Sequence, residues 1–234
     1  MVAQVKHLGV IMDGNRRWAR ANAFELLQGH NIGADKFGHL CEWCLQAGIP
    51  YLTVYAFSTE NWKRTDKEIS HLFSLMEKHF LLEKKRCVEK DIKIVIIGER
   101  GRFTPHIAGI ISEMEKATEN CKKLTVQIAL SYGGRDEITR AAKKIAQDAK
   151  SGGLNVEDLT EDVFETYLDT AGLPDVDLVV RTGGSENRRL SNFLPWQCVY
   201  SELFFSDLLW PEFSEEEFHR ALEYFKSVKR RLGQ

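Results

Sequence analysis

The chain has 234 residues, 43% of them hydrophobic, and a formal net charge of −2. This length fits one large α/β domain or two small ones, and the apolar content excludes a disordered chain. A nearly neutral chain has no overall field that attracts nucleic acid, so we expect no nucleic-acid partner. No apolar run is long enough to span a membrane and we find no signal peptide, so we expect a cytoplasmic protein.

Segments with strand-like and helix-like patterns alternate along the chain. This alternation predicts an α/β fold with a mostly parallel six-stranded sheet flanked by helices. Because the chain shows no repeat and no linker, we predict a single domain over residues 1–234. The predicted strands cover 8–12, 51–57, 92–97, 124–130, 176–180 and 201–205. The predicted helices cover 32–47, 66–90, 106–121, 137–150, 157–170 and, after a capping Ser214, 215–231.

The five cysteines have an odd count and irregular spacing, which argues against a disulfide framework. Cys41 and Cys44 have the spacing of a redox or zinc motif. The chain offers no second pair, and both residues fall in a predicted helix, so we assign them no function.

The first strand ends in a strong turn signal, Asp13-Gly14-Asn15, which is followed by Arg16 and Arg17. A carboxylate suits a hard cation. Turn amides and a helix amino terminus favour phosphate oxygens, and one guanidinium group can bind two of those oxygens at once. This layout predicts a metal–diphosphate site, and the alternative is an ordinary strand–turn–helix corner with a basic face.

Two further polar stretches, 57–64 and 181–203, also follow predicted strands. The carboxyl ends of parallel strands meet at one edge of a sheet, where ligands collect. That edge would bring several arginines together with the acids Asp13 and Glu202. The sequence therefore predicts one site for two diphosphates and a magnesium ion. The arginines concerned are Arg17, Arg64, Arg181 and Arg189.

Seven motifs occur in a fixed order along the chain, and their combination is specific. They are HLGVIMDGNRRWA at 7–19, GHxxG at 29–33, FSTENWKR at 57–64, SYGGR at 131–135, RTGG at 181–184, RLSNF at 189–193 and YSEL at 200–203. With these motifs the chain resembles the cis-prenyltransferase family, the family of undecaprenyl diphosphate synthase, from about residue 7 to residue 233.

The resemblance implies a Mg²⁺-dependent condensation of isopentenyl diphosphate, in cis geometry, onto an allylic prenyl diphosphate such as farnesyl diphosphate. It implies that Asp13 holds Mg²⁺ on the departing diphosphate and that Glu202 completes the metal shell, within the chain or across a subunit boundary. Asn61 would help abstract the proton or position isopentenyl diphosphate. The implied substrate-binding residues are Gly14, Asn15, Arg16, Arg17, Trp18, His30, Ser58, Glu60, Trp62, Arg64, Arg181, Arg189 and Ser191.

Several of these roles have alternatives. An amide such as Asn61 is a weak base, so a phosphate group is the other candidate for the proton acceptor. Trp62 is either a wall of the site or a packing residue. Glu68 is either a site residue or an ordinary charge on a helix surface.

The predicted helix 66–90 has one apolar face, which we expect to be core. In the family the equivalent helix also lines an apolar product tunnel, and each methylene buried there is worth about 0.8 kcal/mol. An apolar product suggests release at a bilayer surface through peripheral contact. The apolar face carries Ile69, Leu72, Phe73, Met76, Phe80 and Leu81.

The family's Arg-x-Gly tail reaches the partner subunit's isopentenyl site. Arg231-Leu232-Gly233 fits that tail, so the resemblance implies a homodimer with Arg231 and Gly233 near the partner site. The alternative is a basic cluster that complements the dipole at a helix end.

The chain departs from the family pattern at four places. Leu26 replaces an arginine that serves as an extra phosphate ligand, with Arg20 as a candidate substitute. Thr65 replaces a common proline, residues 185–188 form a longer loop, and Pro195 is an addition. These differences are compatible with three alternatives: a weaker enzyme, an altered product length or an unusual condensation.

The leading hypothesis is a polyprenyl diphosphate synthase that makes an undecaprenyl-type precursor. Its alternatives are a short-chain or irregular product on the same fold, and a non-catalytic partner subunit, which the presence of Asp13, Asn61 and Glu202 disfavours. The sequence lacks a P-loop motif, which excludes that class of phosphotransferase. It also lacks Asp-Asp-x-x-Asp and an all-helical pattern, which disfavours a trans-prenyltransferase.

Overall fold

The computed structural model describes residues 4–184 and 187–228. Six strands form one sheet in which every pair is parallel, in the order β3-β4-β2-β1-β5-β6. The predicted α/β class and all six predicted strands are confirmed, with strand ends that differ by at most two residues. The strands are β1 His7–Ile11, β2 Tyr51–Ser58, β3 Ile92–Ile97, β4 Leu124–Tyr132, β5 Leu178–Arg181 and β6 Glu202–Phe205.

Seven α-helices connect and cover the strands in the described part of the chain. The predicted helix 157–170 is wrong in extent, because Thr160 caps a new start and the backbone bonds after Glu165 shift to the tighter i to i−3 type. Only a 3₁₀ turn at Val156–Asp158 and a short helix remain there. The helices are α1 Asn15–Ala21, α2 Leu26–Gln46, α3 Asp66–Glu89, α4 Pro105–Thr118, α5 Gly134–Ser151, α6 Glu161–Glu165 and α7 Glu215–Ser227.

The apolar face predicted for α3 is present, but Leu81 does not belong to it. Its side chain is 59% exposed, because a residue one position after Phe80 points about 100° away around a helix. At the start of α7, Ser214 accepts a hydrogen bond from the Glu217 backbone amide, as predicted. The helix ends at Ser227, and residues 229–234 lie outside the described range.

The sheet is buried on both faces. One face packs against apolar residues of α2, α3, α4 and α7, and the other packs against the segment around Phe193 and Leu194. Strand β1 lies at the centre, and all five of its residues are buried. Among the described residues, no helix has the length and apolar character needed to cross a bilayer.

The strand register brings distant parts of the chain to one edge. Ile11 of β1 pairs with Tyr55 of β2 on one side and with Arg181 of β5 on the other. Because all strands are parallel, the segments that follow these residues leave the sheet on the same side. The chain crosses from one half of the sheet to the other at β1, which is where open α/β sheets bind ligands.

Two glycines hold the first helix tightly against the second at this edge. A Cβ atom on Gly29 would lie 2.2 Å from the backbone oxygen of Asn15, and one on Gly33 would lie 2.3 Å from Asn15 Oδ1. The indole N–H of Trp210 donates to the Gly33 carbonyl at 2.8 Å. The GHxxG motif therefore allows close packing of α1 on α2, which fixes the position of the Asp13 turn.

Replacing Gly29 with alanine tests this contact. We expect Gly29→Ala to lower the free energy of unfolding by about 1–3 kcal/mol, because a rigid backbone oxygen has to move. Gly38→Ala is the matched control on the same helix, since a Cβ there meets no atom within 4 Å. It should stabilise the chain by about 0.5–1 kcal/mol. Equal effects of the two substitutions in urea unfolding would contradict the packing account.

Candidate active site

The centre of the site is an ion pair between residues 168 positions apart in sequence. Arg181 Nη2 donates to Asp13 Oδ2 at 2.9 Å. Arg181 is only 5% exposed. Its guanidinium group needs Asp13 as a partner, because a buried unpaired charge is strongly unfavourable. The predicted convergence of the first and third polar stretches is confirmed by this contact.

The same carboxylate reaches a second guanidinium group. Arg17 Nη2 lies 3.3 Å from Asp13 Oδ1, one helical turn along the chain. Gly183 makes room for it, with a φ of +115° and a Cβ position only 2.7 Å from Arg17 Nη2. The Thr182 hydroxyl donates to the Asp13 carbonyl at 2.8 Å and fixes the backbone of the turn.

A second charged cluster lies where α1, α2 and α3 begin. Arg64 Nη1 donates to Glu68 Oε1 at 2.9 Å, and Arg16 Nε lies 4.0 Å from the same oxygen. His30 Nε2 lies 3.7 Å from it. Glu68 is 12% exposed, so it is a site residue rather than an ordinary surface charge. It contacts three of the residues predicted to bind substrate.

His30 is held in its neutral form in this cluster. Burial is the main cause, and the neighbouring Arg64 charge adds to it; together they lower the pKa of His30 to about 4. The nearby Glu68 carboxylate opposes this shift only in part. At neutral pH the ring therefore acts as a hydrogen-bonding group rather than as a cation.

The second polar stretch folds into a 3₁₀ turn, Thr59–Lys63, immediately after β2. Asn61 Oδ1 accepts a hydrogen bond from the Ser58 backbone amide at 3.0 Å, and the Ser58 hydroxyl caps the Asn61 amide in return. These bonds fix the direction of the Asn61 side chain. On the same turn, Glu60 accepts from Asn192 at 3.3 Å, which ties the second polar stretch to the third.

Trp62 packs against neighbouring side chains. Its ring contacts Phe57 and Phe73 with centroids 5.1 and 5.7 Å apart, and its N–H donates to Ser131 Oγ at 2.9 Å. The packing alternative for Trp62 is therefore the one that its contacts favour. Trp18 stacks on Phe24 at 5.5 Å, on the outer side of α1.

The third polar stretch is tied to Arg181. Arg181 Nη1 donates to Ser191 Oγ at 2.7 Å and to the carbonyl of Arg189. The Arg189 side chain is exposed, and its neighbour Arg188 is exposed too. Both remain available to a ligand. Ser191 and Asn192 have positive φ values of 50° and 67°, a strained backbone that is common at ligand sites.

Two cavities meet at this edge of the sheet. The first, of about 550 Å³, is polar and is lined by eight of the predicted site residues. The second, of about 570 Å³, is mainly apolar and runs beneath α2 and α3. Both contain Met12, Asn15, His30, Ala56 and Leu72 in their walls. The eight predicted residues in the polar cavity are Asp13, Asn15, His30, Ser58, Glu60, Asn61, Arg64 and Ser191.

Buried polar atoms without a hydrogen bond concentrate at the same place. Within residues 4–184 and 187–228 five such side-chain atoms occur, and four belong to Asn15, Arg17, His30 and Arg181. Buried polar groups normally find a hydrogen-bond partner. The two arginine nitrogens among them are donors, which an anionic ligand such as a diphosphate would satisfy.

The carboxylate of Asp13 is the metal ligand that suits Mg²⁺ at this site. In the described parts of the chain, no group of three or more His, Cys, Asp or Glu side chains is placed to hold a metal by itself. Magnesium commonly binds one or two carboxylates and takes its other oxygens from water and substrate phosphates. A single carboxylate, 31% exposed and facing the polar cavity, fits that pattern.

The prediction that Glu202 shares a metal with Asp13 is wrong within one chain. Glu202 is the first residue of β6 and pairs with Leu178, the first residue of β5. It therefore lies at the amino edge of the sheet, whereas Asp13 follows the carboxyl end of β1. A role for Glu202 across a subunit boundary stays a prediction.

Other residues at the site were missed or left undecided from the sequence. Asn187 Nδ2 lies 3.4 Å from Asp13 Oδ2, and the Tyr55 hydroxyl donates to the Tyr132 and Ser191 carbonyls at 3.2 and 3.4 Å. Neither position carries a motif that points to it. Arg20 is exposed in the last turn of α1, away from these contacts. The predicted dimer residues Arg231 and Gly233 lie outside the described residues.

The depressed pKa of His30 predicts a loss of stability in acid. Between pH 6.5 and 4 the unfolded chain binds a proton on this side chain and the folded chain does not, so stability falls as the pH drops through this window. The effect reaches at most about 3 kcal/mol. Urea unfolding should show a shallower decline for His30→Gln than for the wild type. His39→Gln, an exposed site on the same helix, should keep the wild-type slope. Equal slopes for wild type and His30→Gln would contradict the assignment.

Comparisons with known proteins agree with this geometry. The sequence model of a family described as "Putative undecaprenyl diphosphate synthase" matches residues 11–233. A tritrans,polycis-undecaprenyl-diphosphate synthase (geranylgeranyl-diphosphate specific) from Pyrococcus horikoshii is 43% identical over 230 residues, which cover 97% of this chain and 86% of the relative. A ditrans,polycis-undecaprenyl-diphosphate synthase ((2E,6E)-farnesyl-diphosphate specific) from Pseudomonas syringae pv. tomato is 42% identical over 228 residues, with 97% and 90% covered.

A solved structure shows the same fold. The crystal structure of lavandulyl diphosphate synthase from Lavandula x intermedia, in complex with dimethylallyl diphosphate, superposes with a TM-score of 0.95 at 32% identity and covers 99% of both chains. Both the sequence similarity and the shared fold point to one family. The chain belongs to the undecaprenyl diphosphate synthase family of prenyltransferases.

Proposed function

We propose that this protein is a Mg²⁺-dependent cis-prenyltransferase that condenses isopentenyl diphosphate with an allylic prenyl diphosphate to give a polyprenyl diphosphate. The observation that carries the proposal is the Asp13–Arg181 pair, at 2.9 Å, beside a polar cavity that shares part of its wall with an apolar one. The polar cavity suits the two headgroups and the apolar cavity suits the growing hydrocarbon chain.

The first proposed task of the site is to bind the leaving diphosphate. Pyrophosphate leaves more easily when its negative charge is neutralised, and preorganised donors supply this at little reorganisation energy. Gly14, Asn15 and Arg17 would contact this group, and His30, as a neutral ring, would hydrogen-bond to it. When bound at Asp13, Mg²⁺ would neutralise part of the charge on the departing diphosphate.

The second task is to hold isopentenyl diphosphate in line with the allylic carbon. Arg181, Arg189 and Ser191 would bind its diphosphate, and the bond between Arg181 and Ser191 keeps two of them in register. A carbon–carbon bond forms as the carbon–oxygen bond to pyrophosphate breaks, and a proton then leaves the new chain. Asn61 would position the second substrate, since an amide is a poor proton acceptor and a phosphate oxygen is a better one.

The apolar cavity favours elongation over a single condensation. Its mainly apolar walls offer a hydrocarbon chain a place to bind, in addition to the pocket for the diphosphate headgroups. Each methylene buried there contributes about 0.8 kcal/mol. An undecaprenyl-type product is our first choice. A short or irregular product is the alternative, and the close superposition on lavandulyl diphosphate synthase is the observation that favours it.

We also propose a cytoplasmic homodimer that contacts a membrane surface when it releases product. The metal role that the family resemblance implies for Glu202 supports the dimer. This carboxylate lies far from Asp13 in its own chain, so it joins a metal shell only if a partner presents it. An apolar product supports the membrane contact, because water does not dissolve it.

The test is a condensation assay with farnesyl or geranylgeranyl diphosphate, labelled isopentenyl diphosphate and Mg²⁺. Wild-type protein should form labelled polyprenyl diphosphate, and removal of Mg²⁺ with a chelator should abolish it. Asp13→Asn should lower kcat by about 10²–10³-fold, the effect expected when a charge-stabilising group at the reacting centre is lost.

The matched control is Asp162→Asn, which removes an exposed carboxylate from α6. It should keep wild-type turnover. Absence of labelled product with every allylic starter, from protein shown to be folded, would overturn the proposed function. Full activity of Asp13→Asn would overturn the role given to that carboxylate.

A further inference from the structure

The apolar cavity ends in a group of charged side chains, far from the diphosphate site. Glu42 of α2 and Glu83, Arg86 and Lys90 at the end of α3 all line it. His30, at the other end of the cavity, precedes Glu42 by twelve residues on the same helix. Twelve residues of helix span about 18 Å. The charged group, hereafter the ion cluster, therefore lies at the end of the cavity near the amino edge of the sheet.

The ion cluster joins α2 to α3. Glu42 Oε1 accepts hydrogen bonds from Lys90 Nζ at 2.5 Å and from the Arg86 guanidinium. Glu83 Oε2 accepts from Arg86 Nη1 at 3.3 Å. One acceptor on α2 is thus shared by two cations on or just after α3. The hydrogen bond from Lys90 is the main cause that lowers the pKa of Glu42 and keeps this carboxylate charged.

The wall between the diphosphate site and the ion cluster is mainly apolar along the sheet and the inner face of α3, and Asp35, His39 and His79 are the polar residues that also line it. A hydrocarbon chain gains about 0.8 kcal/mol for each methylene that it buries there. The gain stops at the ion cluster, because contact with a hydrocarbon would take charged groups out of water. This part of the wall includes Leu72, Phe73, Met76, Phe80, Ile94 and Met114.

The ion cluster is weak as a mechanical barrier. Its members are 28% to 47% exposed, and exposed ion pairs of this kind are worth about 0–1 kcal/mol. A chain that pushed past them would meet water and gain no further burial. The limit on chain length is therefore set by where the apolar wall ends.

We propose that the Glu42–Arg86–Lys90 ion cluster sets the maximum length of the prenyl chain that this protein binds and makes. The inference rests on the proposed prenyltransferase function and assigns residues that determine its product. It predicts that an apolar replacement of the ion cluster extends the wall and lengthens the product.

The experiment compares wild type with the double variant Glu42→Leu/Arg86→Leu. The control is Lys84→Gln/Glu113→Gln, which removes an ion pair of 3.7 Å between α3 and α4; neither residue lines the cavity. Product length is measured by chromatography after exhaustive condensation. The double variant should shift the longest product by at least one isoprene unit, and the control should match the wild type.

A second measurement needs no turnover. Synthetic prenyl monophosphates of increasing length are added, and the rise in Tm is recorded. For the wild type and the control the rise should stop increasing at a fixed length, and for the double variant it should continue to longer chains. The same length dependence in all three proteins, or an unchanged product distribution in an active double variant, would overturn the inference. If the wild type fails to condense, while the double variant still extends the length dependence in the binding series, the result would count against the proposed function and support the length limit.

Discussion

The structure depends on one ion pair at the edge of a parallel sheet. Asp13 and Arg181 end up 2.9 Å apart because β1 and β5 are parallel neighbours in register. Several other features of the site meet at that contact. Thr182 and Trp210 bind the carbonyl of Asp13, and Gly183 keeps clear the space that the Arg17 guanidinium occupies. A carboxylate that holds two guanidinium groups in place prepares them for an anion without letting them repel each other.

The chemistry of the site is divided between charge and hydrocarbon. Two carboxylates, Asp13 and Glu68, hold the arginines of the site, and burial keeps His30 neutral. The apolar cavity begins within the same set of residues and continues beneath α3. The two cavities share part of their walls. A ligand with a charged head and an apolar tail is therefore the kind of molecule that fits both. This juxtaposition is the structural basis for the prenyl diphosphate chemistry.

Much of the fold and part of the site could be predicted from sequence. Buried parallel strands leave continuous apolar runs, and their order placed Asp13, Ser58 and Arg181 on one edge. Other features depend on where a residue lies along its strand or which way its side chain points, and no motif records either. Glu202 shares a motif-rich stretch with Arg181, yet it begins a strand and so lies at the opposite edge. Leu81 extends an apolar run but points outward. The packing of Gly33 on Asn15 involves two helices whose approach no local pattern encodes.

The most direct test of the central claim is a double-mutant cycle on Asp13 and Arg181. The free energy of unfolding is measured for Asp13→Asn, Arg181→Gln and the double variant, in the absence of ligand. Residues in direct ionic contact show coupling energies of about 0.5–3 kcal/mol. We expect coupling in this range, with the double variant less destabilised than the sum of the single variants. Additive effects of the two substitutions would show that β1 and β5 do not meet through this pair, and would contradict the account of the site.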